Sequence, residues 1–489
     1  MSTHKYGRYL ITDQQSRWAT VEEIKSSGTR IDLRKDSFPV GGLPIMTDAR
    51  EAWVDGEDSH TIIFGATGSK KTRLFCMPLL NILAGAGESF IATDPKGELY
   101  NRTSGYARSK GYDTYVLNFR DIGNGDMWNP LALPYELYHS GKTEEATGML
   151  NDFIRTIAQP HIENTKDVFW PEMASSYALA NLLLLMEAGK KEEANVTSLS
   201  ALCVASAADP LRRLSEHMSL NSIAKLNYDS VLTAPERTLN SILVSLYGML
   251  RVFATQKKLC GMLSGNTIDL STVGRRKTAI YIIIPDEKTT YHFMVTTFIK
   301  QAYEILIAEA QKEKNGRLPV RVNFVLDEFC NIPKVPDMPS MISAARSRNI
   351  RYFLVAQSKH QLVGRYKEDA DTIKGNCDNW VFLTSKELDL LEEISRLCGV
   401  NRVSETYSRP LISTSELQRL DKKKGEALIM HARQYPYITE IADIDDYEMF
   451  KGYPPVPLST YTVPDVKVFN VHKLLDDVVA NKRPIPFSD

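Results

Sequence analysis

The chain has 489 residues, 43% hydrophobic and 24% charged, with a formal net charge of −1. This is an ordinary globular composition, long enough for two or three domains. The near-zero balance excludes binding of nucleic acid through overall charge, so any such contact must come from a local patch.

At the N-terminus, "MSTHKYGRYLITDQQSRW" lacks the apolar core of a signal peptide. Residues 1–58 are therefore expected to form a lead-in segment. Short β-rich runs follow in two blocks separated by helical sequence. "TIIF" (61–64), "SFIATD" (89–94) and "TYVLNF" (114–119) lie in the first block, 59–138. "TAIYIIIP" (278–285), "VNFVLDE" (322–328), "YFLVAQS" (352–358), "WVFLTS" (380–385) and "EALIMH" (426–431) lie in the second, 271–455. Their apolar residues are consecutive and not alternating, as in strands of a parallel sheet covered on both faces. Between the blocks, over 139–270, apolar residues recur at three- and four-residue spacing in "TEEATGMLNDFIRTI", "FWPEMASSYALANLLLLMEA" and "ERTLNSILVSLYGMLRVFA". The predicted fold class is thus α/β, with a central mostly parallel sheet and an inserted all-α domain. Residues 456–489, rich in Pro and Val, read as a strap along the surface. The six cysteines are far apart with no metal-ligand spacing, as reduced thiols in a cytosolic protein would be. "YALANLLLLM" (177–186), the longest apolar run, is below the roughly 18 residues needed to cross a bilayer. The expectation is a cytoplasmic chain that reaches a membrane only through a partner.

"TIIFGATGSKKTRLF" (61–75) has the layout of a phosphate-binding loop: strand, glycine turn, helix start. Gly65, Ala66, Thr67, Gly68, Ser69, Lys70, Lys71 and Thr72 fill the eight positions, so that backbone N–H groups would face an anion. Lys71 would reach the β- and γ-phosphates of ATP, and the Thr72 hydroxyl would ligate Mg²⁺. Lys70 stands where the pattern has its last glycine. A left-handed lysine costs about 1–2 kcal/mol, enough to weaken ATP binding about tenfold. A strand–turn–helix corner that merely contains Gly and Lys gives the same string.

In "RVNFVLDEFCNIP" an apolar strand delivers Asp327 and Glu328 at its C-terminal end, where open α/β sheets bind ligands. Asp327 suits Mg²⁺, and Glu328 suits the base for the attacking water. Gln357 ends the next strand, where an amide can hold that water or sense the γ-phosphate. Between these strands, "SAARSRNIR" offers Arg346 and Arg348, permanent charges with a bidentate fork for phosphate. Residues 344–376 hold seven basic side chains against three acidic ones. That run suits either a phosphate backbone or a solvated face.

Several longer motifs recur in the order seen in one family. "SRWATVEEIK", "ATDPKGELY", "MWNPL", "FW" (169–170), "LDEFCNIPKVP", "ISAARSR", "VAQS", "IKGNCDNWVFL" and "RPLISTSEL" together span roughly residues 15–450. Over that span the chain resembles the type IV secretion coupling proteins. These are the TraG/TraD-type conjugative DNA-transfer ATPases, grouped with FtsK- and HerA-like pumps among the RecA-like P-loop motors. The resemblance implies a RecA-like nucleotide-binding domain and a homo-hexameric ring, with the isolated chain a monomer. It also implies a DNA translocase, acting on single- or double-stranded DNA, that couples ATP hydrolysis to passage of relaxase–DNA cargo into a secretion channel. By motif, Lys71 and Thr72 take the phosphate and Mg²⁺ roles, Asp327 and Glu328 form the acidic pair, and Gln357 is the sensor. Arg346 matches an arginine finger that reaches a neighbouring subunit. The "DPKGE" stretch sits near the site in this family, although Asp94 and Gly97 also read as a plain turn.

Two departures stand out. Lys70 replaces a glycine. The N-terminal membrane-spanning helices usual in the family have no counterpart in this sequence, so a separate membrane subunit is expected to recruit the chain. The alternative function is a cargo adaptor that holds nucleotide with little or no hydrolysis.

Overall fold

The computed structural model describes residues 16–163, 165–402, 408–461 and 464–480. Residues 1–15 of the expected lead-in and 481–489 of the expected strap lie outside the described residues. Near the N-terminus, Thr29–Asp32 (β1), Leu43–Thr47 (β2) and Glu51–Asp55 (β3) pair antiparallel in the order β1-β3-β2. The principal strands follow: His60–Phe64 (β4), Ser89–Asp94 (β5), Asp113–Asn118 (β6), Thr278–Ile283 (β7), Val322–Leu326 (β8), Ile350–Ala356 (β9) and Cys377–Phe382 (β10). Val400–Arg402 (β11) and Ser408–Pro410 (β12) form a separate ribbon, and Glu426–His431 (β13) and Tyr437–Glu440 (β14) return to the main sheet.

The main sheet has nine strands in the order β14-β13-β10-β4-β9-β8-β5-β7-β6. All neighbours from β10 to β6 are parallel, whereas β13 and β14 join antiparallel at one edge. The consecutive apolar runs follow from this layering. Ile62, Phe324, Leu326 and Leu354 point into one core, while Ile63, Val325, Phe353 and Val355 point into another on the opposite face. A strand covered on both sides has no polar face to alternate with. Every run expected to be a strand is one. The three N-terminal strands, the β11–β12 ribbon and β14 are additions that the sequence reading does not contain.

β6 and β7 are direct neighbours, with Asp113 opposite Thr278. The all-α domain is therefore a crossover between adjacent parallel strands. It includes helices Thr143–Glu163, Phe169–Ala188 and Glu236–Thr255, and each covers one of the expected helical stretches. Helix Glu236–Thr255 buries Leu239, Ile242, Leu246, Met249 and Phe253, a stripe at three- and four-residue spacing. Among the described residues it is the one helix long and apolar enough to cross a membrane.

After β14 the chain runs back across the molecule. It passes so close to Gly105 that a Cβ there would lie 2.1 Å from Pro454 O. Gly125 N donates to Ser459 O, and Asn195 Nδ2 donates to Lys467 O at 2.8 Å. The expected strap contains an amphipathic helix, Val471–Val479, packed on helix Ala205–Ser215 of the all-α domain.

Candidate nucleotide site

Because β4, β9, β8 and β5 are parallel neighbours, their C-terminal ends line one edge of the sheet, and the loops that leave them meet there. The turn after β4 is tied to both adjacent strands. Gly65 N donates to Ala356 O at 3.1 Å and Ala66 N to Thr384 O at 2.9 Å. A Cβ on Gly65 would sit 2.5 Å from Ser69 Oγ and 3.0 Å from Lys71 Cγ, so only glycine fits. The following helix opens with a π-helical turn, Thr72–Cys76, before the α-helix Met77–Ala86. Pro78 has no N–H to give to Leu74, which removes one α-helical bond where the wider turn is used.

Lys70 has φ +68°, so the residue in the glycine position does adopt the left-handed conformation. Its side chain turns to the C-terminal segment, where Nζ lies 3.3 Å from Asp443 Oδ2. The same carboxylate accepts Arg73 Nε at 3.1 Å, and Asp445 accepts Arg73 Nη2 at 2.5 Å and also pairs with Arg102. Burial opposes ionisation of Asp443, but the hydrogen bonds and charge of Arg73, with Lys70, outweigh it and hold the carboxyl below its usual range. An acidic turn thus grips the phosphate-loop helix from outside.

Lys71 is 6% exposed. Its Nζ donates to Gly65 O at 2.6 Å and lies 3.6 Å from Glu328 Oε1. Thr72 Oγ1 donates to Asp327 Oδ2 at 2.8 Å. Asp327 is buried, and burial, reinforced by the charge of Glu328, pushes its carboxyl up to about 6. Its Oδ1 accepts the Glu328 N–H at 3.0 Å. Glu328 has φ +54°, a strained conformation for a side chain of its size. That turn brings its Oε2 to Gln357 Nε2 at 2.7 Å, and Gln357 Oε1 accepts Thr67 Oγ1 at 3.2 Å. A cavity of about 110 Å³ opens between Thr67, Thr72, Asp94, Asp327, Glu328 and Gln357.

Asp94 belongs to this cavity on the strength of its position at the end of β5. Burial raises its carboxyl to about 6 against the N–H donors of the next turn, with Tyr100 N at 2.8 Å. The signal was present in the sequence: an apolar strand ending in Asp at the same sheet edge. Asn331, whose Nδ2 lies 3.4 Å from Glu328 Oε2, and Asp443 carry no such signal.

Arg346 lies elsewhere. It precedes β9, at the opposite sheet edge from Gln357, where it pairs with Asp378 Oδ2 at 2.6 Å and donates to Asn376 O. Nor do residues 344–376 form a free basic face. Arg351 is 1% exposed and bound to Glu88 at 2.5 Å and Asn323 at 2.8 Å, and Lys359 and Lys374 share Glu393. Much of that basic run is neutralised inside the fold.

Residues 17–434 match the family described as type IV secretory system conjugative DNA transfer. The conjugal transfer protein TraG of Escherichia coli is 23% identical, over 86% of this chain and 75% of that protein. Protein VirD4 of Rhizobium radiobacter is 22% identical, over 91% of this chain and 62% of that protein. The plasmid coupling protein TrwB in complex with the ATP analogue ADPNP superposes with a TM-score of 0.64 at 14% identity, covering 93% of this chain and 97% of that one. TrwB with ADP and Mg²⁺ gives 0.56 at 14% identity with the same coverage. VirB4 of Thermoanaerobacter pseudethanolicus gives 0.51 at 16% identity, over 84% of this chain and 98% of that one. At these identities the likeness establishes the RecA-like fold.

Proposed function

This chain belongs to the type IV secretory system conjugative DNA transfer family, and from that membership we propose an ATP-driven motor that moves DNA with a relaxase-type cargo toward a secretion channel. The observation that carries the reading is the meeting of Thr72 Oγ1 with Asp327 Oδ2 at 2.8 Å, beside Lys71 and Glu328. A phosphate-loop hydroxyl and a strand-end carboxylate in contact are the pair a Mg²⁺-bound triphosphate requires.

The residues present fit that ligand. Ser69 Oγ is buried in the turn without a hydrogen-bond partner among the described residues, and five carboxyls, Asp94, Glu98, Asp286, Asp327 and Glu328, line one small cavity with Lys96. The solved complexes of TrwB with ADPNP and with ADP and Mg²⁺ support the choice of ATP and Mg²⁺. Bound here, ATP supplies the phosphoanhydride whose hydrolysis drives movement, and Mg²⁺ neutralises phosphate charge.

The chain's own groups divide the work. The backbone N–H groups of Gly65, Ala66 and Ser69 hold the turn itself, and those of Thr67, Gly68 and Lys70 are left to face phosphate. Lys71 offers a buried ammonium, and Thr72 and Asp327 would hold the metal. Glu328 Oε2 takes the proton of the attacking water, oriented by the Gln357 amide. Arg346 is too far round the sheet to serve its own site, so its role is in a neighbouring copy, which requires the homo-hexamer. The division at 58/59, 138/139, 270/271 and 455/456 is part of the same reading, as is a cytoplasmic chain held at the membrane through a separate subunit.

Steady-state ATP hydrolysis with and without DNA tests the proposal. Slow basal turnover raised by DNA is expected. Tight ATP binding with turnover at background under every DNA condition would mark a nucleotide-holding adaptor instead.

A further inference from the structure

A second, larger cavity of about 610 Å³ lies where the all-α domain meets the catalytic edge. Helices Thr143–Glu163 and Glu236–Thr255 form one wall. The other comes from the connections after β7, β8 and β9: Thr289 to Phe293, Asn331 to Lys334, and Arg365. Arg251 and Arg365 in its lining have no carboxylate partner among the described residues, whereas Lys334 pairs with Asp369 at 2.7 Å. Phe293 presents a partly buried ring, held edge-on by Phe253 at 5.9 Å. Guanidinium forks without a carboxylate partner, beside an aromatic face, suit phosphates interleaved with bases. A base can lie on the Phe293 ring only when it is unpaired, as in a single strand.

The groove also communicates with the catalytic carboxylate. Asn331 lines both cavities, with its Nδ2 toward Glu328 Oε2 at 3.4 Å. The short turn Phe329–Asn331 is held from the groove side. Arg365 Nε donates to Cys330 O at 3.4 Å, and His292 Nδ1 lies 3.0 Å from Asn331 O. A phosphate that engages Arg365 therefore acts on the turn that carries Glu328.

Resting on the motor reading above, we infer that this groove binds single-stranded nucleic acid, with phosphates on Arg251 and Arg365 and a base against Phe293, and that Asn331 relays occupancy to Glu328. The test is anisotropy of a fluorescent oligothymidylate with the full chain, titrated with salt. Arg251→Ala with Arg365→Ala should bind 10- to 100-fold more weakly. The slope of log affinity against log salt should fall by about 0.7 for each phosphate contact removed. Arg251→Ala alone, at an exposed helical position that folding does not need, should leave basal ATP turnover unchanged and raise the DNA concentration for half-maximal stimulation 5- to 10-fold. Asn331→Ala should bind the oligonucleotide normally yet lose its stimulation. Wild-type affinity and slope in the double variant would overturn the groove assignment alone, as would displacement of the oligonucleotide by polyglutamate at equal charge. Failure of the wild-type chain to bind any oligonucleotide would instead sink the motor reading.

Discussion

Thr72 and Asp327 lie 255 positions apart in the chain and 2.8 Å apart in space. Their strands, β4 and β8, flank β9, so the residue that ends β9, Gln357, falls between them. The sheet order alone thus delivers loop hydroxyl, acidic pair and amide to one edge. Helices on both faces hold the strands in register and leave their C-terminal ends open to ligand.

The Gln357–Glu328 contact should matter for turnover more than for binding. Gln357→Leu frees Glu328 Oε2 and releases Thr67 Oγ1, while leaving Lys71 and Thr72 in place. Glu328→Gln removes the proposed base, a group that typically contributes 10²–10⁴ in rate. For both variants kcat should fall with KM for ATP nearly unchanged, Glu328→Gln by the larger factor. A rise in KM without loss of kcat would assign the pair to ground-state binding.

Lys70 carries backbone strain and an ion pair at once. A left-handed lysine costs about 1–2 kcal/mol relative to glycine, and its half-exposed pair with Asp443 returns no more than about 1 kcal/mol. Lys70→Gly should therefore be at least as stable as wild type to urea, and about 1 kcal/mol more stable than Lys70→Ala, which keeps the strain and loses the pair. Equal stability of the two variants would mean that the positive φ costs nothing here.

Glu187 sits in the all-α domain, where burial raises it from 4.5 to about 7 against hydrogen bonds from Tyr138 and Ser222. The folded state therefore holds this proton more tightly than the unfolded state. Stability contributed by the group is present below about pH 4.5, falls as pH rises through 7, and is absent above it. Glu187→Gln removes the charge and keeps one of the two bonds as it is, the other hydroxyl turning to accept from the amide N–H. It should stabilise the protein by about 2 kcal/mol at pH 8, after allowing for partial exposure, and by almost nothing at pH 4.5. Urea titrations at the two pH values read this directly.

Arg346 and Lys71 should complement each other across subunits. Arg346→Ala and Lys71→Ala are each expected to be inactive alone. Mixed before assembly with DNA, they form some interfaces with an intact loop on one copy and an intact arginine on the next, so turnover should return to a fraction of wild type. No recovery at any mixing ratio would confine Arg346 to its structural pair with Asp378.

The strands were legible because a sheet covered on both sides leaves consecutive apolar residues, and the phosphate loop because its spacing is tied to backbone geometry. The left-handed Lys70 follows from the same spacing. Arg351 is one of the seven basic residues of 344–376, and a charge within such a run reads as exposed until its partner, Glu88, arrives from 263 positions away. Asp443 reached Lys70 across 373 positions, and nothing local in an acidic turn announces such a contact. β1 to β3 mix buried with partly or fully exposed residues and so lack the consecutive apolar run that marks β4 and β8 at the same length. What stayed hidden is pairwise and long-range; what was visible is periodic and local.

The most direct measurement is calorimetric titration of ATP with Mg²⁺ into the full chain, using Glu328→Gln to prevent turnover. That variant should bind at least as tightly as wild type, and Lys71→Ala or Asp327→Ala introduced into it should weaken binding tenfold or more, Asp327→Ala only when Mg²⁺ is present. Undiminished affinity in both double variants would put the nucleotide somewhere other than between β4 and β8, and would contradict the motor assigned to this sheet edge.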